Sequence, residues 1–290
     1  MKVAVTGASG FVGAEVVRAM RGAGHEVVSV GRTPVAACEH RQWDAATGTP
    51  DLTGCDAVVH AAAHVGERGP RSVFERVNVG GARRLLDAAD GRTVVWVSSG
   101  SVYDPRPSRR LVGEDHPTES GHLSHYGWTK ARGERLALEA GAVVLRPTAV
   151  YGLADRHLVP RLRRLVRGRR LLLPGPDVAL SLTDVEAFGR ACVDALDWPP
   201  GPVNIADPEP YSRDEVLARV LEGVVGRQLV ATRVPPAVVR ALAPVLPGVN
   251  AYTIDLLTRD HVLDVRRALA LGWEPPRRRV WDLDWASVLP

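Results

Sequence analysis

Lysine is nearly missing from this chain of 290 residues: Lys2 and Lys130 are the only two, and every other basic residue is arginine. Genome-wide codon bias produces such an imbalance, and it lends weight to a lysine that stands at a chemically meaningful spacing. Cysteine is scarce as well. Cys38, Cys55 and Cys192 are odd in number and scattered, without a Cys-x-x-Cys pair or histidine-rich company, which argues against a disulfide framework or a metal site and fits a reducing cytoplasm. Long apolar runs are lacking: Val234 to Val249 is broken by prolines. Met1 already opens the first strand, with no charged and then apolar leader, so neither secretion nor a membrane partner is expected. Nor does any recognised nucleic-acid motif accompany the net charge of +4. The densest basic run, Arg161 to Arg170, sets Leu162, Leu165 and Val166 on one helical stripe. It is expected as a basic helix whose arginines form a solvated face, with phosphate binding the less favoured reading and no nucleic-acid partner.

What is present starts at once. Val3 to Gly13 reads as a short buried strand, a glycine turn and a helix start, with Val16, Val17 and Met20 continuing the helical spacing and Glu26 to Val30 arriving as the next strand. Gly7 would allow the tight turn, Gly10 the close approach of backbone N–H groups to a pyrophosphate, and Gly13 the packing of helix on sheet. The spacing is Gly-x-x-Gly-x-x-Gly, so context carries the reading more than the letters do. Apolar runs at Asp56 to Ala63, Thr93 to Val97 and Val143 to Pro147 follow as buried strands, with helices over Val73 to Ala89 and from Ser124 onward, where Tyr126 and Lys130 share one face at i and i+4. Pro105 to Gly121 is a surface loop, Asp184 to Leu196 a helix, and Val203 to Ile205 a short strand. The class is α/β: a doubly wound parallel sheet of Rossmann type with a smaller, less regular C-terminal substrate domain. Residues 1–150 and 178–206 are expected to bind the dinucleotide, and 151–177 and 207–290 to form the substrate part.

The glycine turn, Ser99 at a strand end, Tyr126-x-x-x-Lys130 and the Arg146-Pro147 strand together resemble the extended short-chain dehydrogenase/reductases, also called the NAD-dependent epimerase/dehydratase family. Val150-Tyr151-Gly152, Leu182 to Val185 and Leu271 to Pro275 look like later landmarks of that family. The resemblance implies an oxidoreductase with Ser99, Tyr126 and Lys130 catalytic, Ser99 lying three residues before Val102 and preferred over Ser98 and Ser101. It implies a cofactor site at Gly7, Ser9, Gly10, Phe11, Val12, Gly13, Arg32, Asp44, Ala61, Ala62, Ala63, Asn78, Lys130 and Pro147. By themselves Ala61 to Ala63 could equally be small for helix packing. A homodimer through the helices near Val73 to Ala89 and Ser124 to Ala140 is also implied.

An ammonium about 4 Å from a phenol at an effective dielectric near 20 contributes roughly 4 kcal/mol, about three pKa units, so Lys130 is expected to bring Tyr126 near neutrality. Arg32 stands where NAD enzymes of this fold carry an acid for the ribose hydroxyls, so NADP is expected, with NAD as the alternative. Gly100 and Ser101 replace the acid pair of dehydratases, which argues against water elimination. Ala149 and Asp177 occupy the places where many nucleotide-sugar enzymes carry asparagine and arginine. The expected function is hydride transfer between a nicotinamide cofactor and a carbonyl or secondary alcohol of a small or sugar-like substrate, most simply ketone reduction. A sugar epimerase with tightly held NAD and a non-catalytic cofactor-sensing regulator are the alternatives.

Overall fold

The structure is a computed structural model that describes residues 1–36, 38–66, 69–107, 109–155, 162–242 and 251–288. Seven parallel strands form its centre: β1 (Lys2–Thr6), β2 (Glu26–Gly31), β3 (Glu39–Gln42), β4 (Ala57–His60), β5 (Thr93–Val97), β6 (Val143–Pro147) and β7 (Gly201–Ile205). Their spatial order is β7-β6-β5-β4-β1-β2-β3, which reverses direction beside β1. Both faces of the sheet are covered, so the strands are almost continuously apolar and successive side chains enter opposite cores. Val3, Val5, Val59, Val95, Leu145 and Val203 enter one core with Val16, Val17 and Met20 of α1 (Phe11–Gly22). Ala4, Val28, Val58, Trp96 and Val144 enter the other with Leu85 of α3 (Gly81–Ala89), which follows the short α2 (Arg71–Phe74).

The helices begin where local chemistry allows. Ser124 caps α4 (His125–Glu139) by accepting from the Gly127 N–H at 3.0 Å, and Asp184 caps the helix Val185–Asp194 by accepting from Glu186 and Ala187. The expected helix near Val73 to Ala89 runs from Arg71 to Ala89 but contains a π-helical segment, Glu75–Gly80. Parallel strands align their carboxyl ends on one edge, with Thr6 paired to His60, His60 to Trp96 and Val97 to Leu145. The segments after β1, β2, β4, β5 and β6 therefore meet along one rim, where open α/β sheets take ligands.

Two expectations need correction. Strand β3 was not anticipated: Glu-His-Arg-Gln carries no apolar run because it is the outermost strand, where polar side chains are tolerated and guard the open edge. The basic run is not a helix either. Arg161 lies outside the described residues, and the rest forms one 3-10 turn, Arg163–Leu165, followed by antiparallel strands Val166–Arg167 and Arg170–Pro174. Gly168 at φ +57° makes the turn between them, and the period-two burial of Leu171 and Leu173 outweighs the helical spacing. Leu162, Leu165 and Val166 still face one apolar cluster, packed with Leu217 and Leu221. The Val234 to Val249 run is described only as far as Leu242.

Candidate active site

The first part of the rim is the glycine turn. Gly7 has φ +68°, and a Cβ there would lie 2.7 Å from the Ala62 nitrogen, so the chain after β4 presses directly on the turn. A Cβ on Gly13 would stand 2.1 Å from the Gly7 carbonyl oxygen, and the Gly10 N–H closes the turn onto that same oxygen at 2.9 Å. Helix α1 starts at Phe11 with no side-chain cap and no acid in its first turn. Its end is thus a bare, positively polarised set of N–H groups beside half-exposed Phe11 and Val12 and exposed Ser9. Such a cradle fits the pyrophosphate of a nicotinamide dinucleotide.

The strand end after β5 supplies the hydroxyls. Ser98 is buried and donates to Glu134 through a short hydrogen bond, so it faces the interior. Ser99 is half-buried, and its Oγ accepts from the Ser101 N–H at 3.2 Å, which caps the turn Gly100–Val102. Tyr126 and Lys130 share α4 as the spacing requires. Lys130 is buried, donates to the Val97 carbonyl at 2.5 Å and sits 5.6 Å over the Trp96 ring. Burial pulls its pKa down to about 8, opposed by the Glu134 carboxylate. His60, stacked on Trp96 and bonded to Thr6 Oγ1 at 2.8 Å, is held neutral by burial and by the Lys130 charge.

The Tyr126 phenol differs from expectation. Burial pushes its pKa upward, Tyr252 adds to this, and a hydrogen bond with Ser99 opposes it. Desolvation therefore outweighs any attraction to the ammonium, which is engaged with the Val97 carbonyl. Tyr126 holds its proton firmly, which suits a proton donor.

Beneath these groups lies a buried polar network that the sequence reading missed. Arg146 donates to Glu134 Oε1 through Nη2 at 2.6 Å and Nε at 3.1 Å, and through Nη1 to the Tyr103 hydroxyl and the Glu114 carbonyl. Tyr103 donates to Asn204 at 2.6 Å. The network ties β5, β6, β7 and α4 together one residue from Ser99 and one turn from Lys130. A charged residue in the middle of the Val143 to Pro147 run was the available signal. Glu134→Ala would leave Arg146 buried and unpaired, a loss of about 3–5 kcal/mol that urea unfolding would measure; an unchanged midpoint would contradict the role.

Other anticipated cofactor residues are distributed unevenly. Ala61, Ala62 and Ala63 are half-exposed, Ala61 and Ala62 lie against Gly7, and the Ala62 N–H donates to Thr6 Oγ1. Pro147 ends β6 on the same rim. Arg32 directly follows β2, is exposed and has no hydrogen bond or ion pair among the described residues. Asp44 is exposed beyond β3 and accepts from the Ala46 N–H. Asn78 sits in the π-helical segment with its amide engaged: Oδ1 accepts from the His64 N–H at 2.7 Å, and Nδ2 donates to the His64 carbonyl and Thr129. It positions the segment after β4. Ala149, beside the rim, has φ +41°, a conformation that asparagine or glycine adopts more easily than alanine.

A family model described as the NAD dependent epimerase/dehydratase family matches residues 3–206. Among curated relatives, a 4-hydroxy-2-methyl-3-oxo-4-farnesyl-3,4-dihydroquinoline-1-oxide ketoreductase of Stigmatella aurantiaca is 34% identical over 59% of this chain and 56% of its own length. A 2-alkyl-3-oxoalkanoate reductase of Shewanella oneidensis is 31% identical over 57% and 48%. The matched stretch thus spans about half the length of these relatives. Among solved structures, MoeE5 in complex with UDP-glucuronic acid and NAD superposes with a TM-score of 0.75 at 26% identity, covering 99% of this chain and 97% of that one. A UDP-glucuronic acid 4-epimerase from Bacillus cereus, at 22% identity and TM-score 0.76 over 99% and 97%, shares the fold.

Proposed function

We propose that this chain, which belongs to the NAD-dependent epimerase/dehydratase family, is a nicotinamide-dependent reductase of a ketone on a small molecule. The observation that carries the reading is geometric: Tyr126 and Lys130 stand one turn apart on the same helix, and Lys130 is anchored to the Val97 carbonyl, two residues before Ser99 at the rim of the sheet. The bound nicotinamide supplies the hydride. Ser99 orients the carbonyl oxygen by donating to it, and Tyr126 gives up its proton as that oxygen becomes an alkoxide. Lys130, held by the Val97 carbonyl, keeps a positive charge below about pH 8 to steady the phenolate left behind and to hold the cofactor's ribose. Solvent then restores the phenol. Two curated relatives named as reductases of oxo compounds support the direction. Screening ketones for NADPH consumption tests it.

The second reading is an epimerase with tightly held NAD, favoured by the likeness to MoeE5 in its complex with UDP-glucuronic acid and NAD. Cofactor release separates the two, since a reductase must exchange its nicotinamide each turnover. A regulator without chemistry has no use for Tyr126 and Lys130 together. In the proposed reading residues 1–150 and 178–206 hold the cofactor and 151–177 with 207–290 shape the substrate site. The three free cysteines agree with work in a reducing cytoplasm, and among the described residues no helix is long and apolar enough to cross a membrane.

The preferred cofactor in this reading is NADP. Arg32 is an exposed guanidinium just past β2, without a partner among the described residues, where its planar fork can take a 2′-phosphate through charge-assisted hydrogen bonds. At about 1.5 to 3 kcal/mol for such a bond, NADPH should bind roughly tenfold or more tightly than NADH. Arg32→Ala should lose most of that difference in a fluorescence titration; equal or tighter NADH binding by the wild type would overturn the choice of cofactor. Assembly is proposed as a homodimer through the Arg71–Ala89 segment and α4. Arg71 and Arg132 stack at 3.8 and 4.6 Å on Trp128 of α4, which joins the two elements in one outward face. Sedimentation at micromolar concentration should give twice the monomer mass, and a monomer would contradict it.

A further inference from the structure

One wall of the cleft carries more polar chemistry than the hydride step needs. Gly100, Ser101, Tyr103, Arg109, Tyr252 and Asp255 line a cavity that begins one residue beyond Ser99. Tyr252 is near enough to Tyr126 to affect its ionisation, so the cavity and the phenol share a boundary. Arg109 comes from the loop after β5 and is buried. Its Nη2 donates to Asp255 Oδ2 at 2.5 Å, and its Nη1 lies 3.1 Å from His261 Nδ1.

A guanidinium can only donate, so Nδ1 of His261 accepts and the ring proton sits on Nε2. Burial, then the Arg109 charge, keeps that ring neutral. The Nε2–H faces Gly100, where a Cβ would lie 3.1 Å away. Three buried groups have no partner among the described residues: Nε of Arg109 and Oγ of Ser101, both from residues that line the cavity, and Nε2 of His261, against Gly100 at its edge. All three can donate, and buried donors are normally satisfied. The charges lean the same way, because Arg109 and, at 3.5 Å, Arg259 both face the single carboxylate of Asp255.

We propose that Ser101, Arg109 and His261 form a subsite for a carboxylate of the substrate, so that the ketone reduced beside Tyr126 belongs to an oxo acid. The second half of this statement rests on the reductase reading; the subsite itself does not. The carboxylate oxygens supply the acceptors that the three donors lack, and Asp255 holds the guanidinium in place while Arg259 offsets its charge. Glycine at position 100 keeps a side chain from crowding the His261 N–H.

Isothermal titration of the full chain with hexanoate and with methyl hexanoate tests the subsite without any turnover. The acid should bind roughly tenfold or more tightly than the ester, as expected for charge-assisted hydrogen bonds. Arg109→Lys, which keeps a charge for Asp255 but lacks the Nε–H, should bring acid and ester close together. Ser101→Ala should shrink the difference several-fold with the Arg109–Asp255 pair intact, and it carries the test if Arg109→Lys does not fold. Equal binding of acid and ester by the wild type, or a preference untouched in both variants, overturns the subsite. A strong acid preference in a chain that reduces no ketone keeps the subsite and removes the reductase reading. Ketone reduction without an acid preference does the reverse.

Discussion

Tyr126→Phe should lower turnover by about two orders of magnitude or more while leaving cofactor affinity little changed. The substitution removes one oxygen and keeps the ring, so α4 and the packing around it stay as they are. The proton that the substrate's oxygen needs is then missing at the moment charge develops. Because burial holds the phenol protonated, the deficit should be present across the neutral range instead of opening only at one end of a pH profile. Single-turnover measurement with saturating cofactor isolates the chemical step. Near-normal turnover would remove Tyr126 from the mechanism.

The second large effect is expected at Gly13. A Cβ there would lie 2.1 Å from the Gly7 oxygen, 2.7 Å from the Gly7 carbonyl carbon and 3.0 Å from the Ala8 Cα, all backbone atoms that cannot swing aside. Gly13→Ala must push α1 away from the turn, an overpacking loss of about 1–3 kcal/mol. It also misaligns the N–H groups that cradle the pyrophosphate, and NADPH affinity should fall about tenfold or more. Gly22, at the other end of α1, has nothing within 4 Å of its Cβ position. Gly22→Ala should be neutral or stabilising by up to about 1 kcal/mol. Thermal melting with and without NADPH compares the two, and similar behaviour would contradict the close-approach account.

The glycine turn and six of the seven central strands were legible because their signals are local: a buried parallel strand is a short apolar run, and a tight turn needs glycine. Helix α4 was legible from Ser124 and the Tyr126-to-Lys130 spacing. The elements that escaped owe their form to position in three dimensions. Glu39–Gln42 is a strand only because β2 offers it an edge. Arg170–Pro174 is one because Leu217 and Leu221 lie beneath its alternate leucines. The Tyr126 ionisation went the other way from the expectation for the same reason. Coulomb attraction can be read from a spacing, whereas desolvation depends on what covers the group in three dimensions, and the electrostatic influence of Tyr252 comes from far along the chain. The Glu134–Arg146 pair likewise joins residues whose partnership needs α4 to lie across β6.

The most direct measurement is NADPH absorbance during incubation of the wild-type chain with a panel of ketones, oxo acids and sugar nucleotides. A ketone or oxo acid should be consumed mole for mole with NADPH and yield the secondary alcohol. Conversion of a sugar nucleotide to its epimer with no net change in NADPH, and no loss of any ketone, would contradict it and give the site to an epimerase.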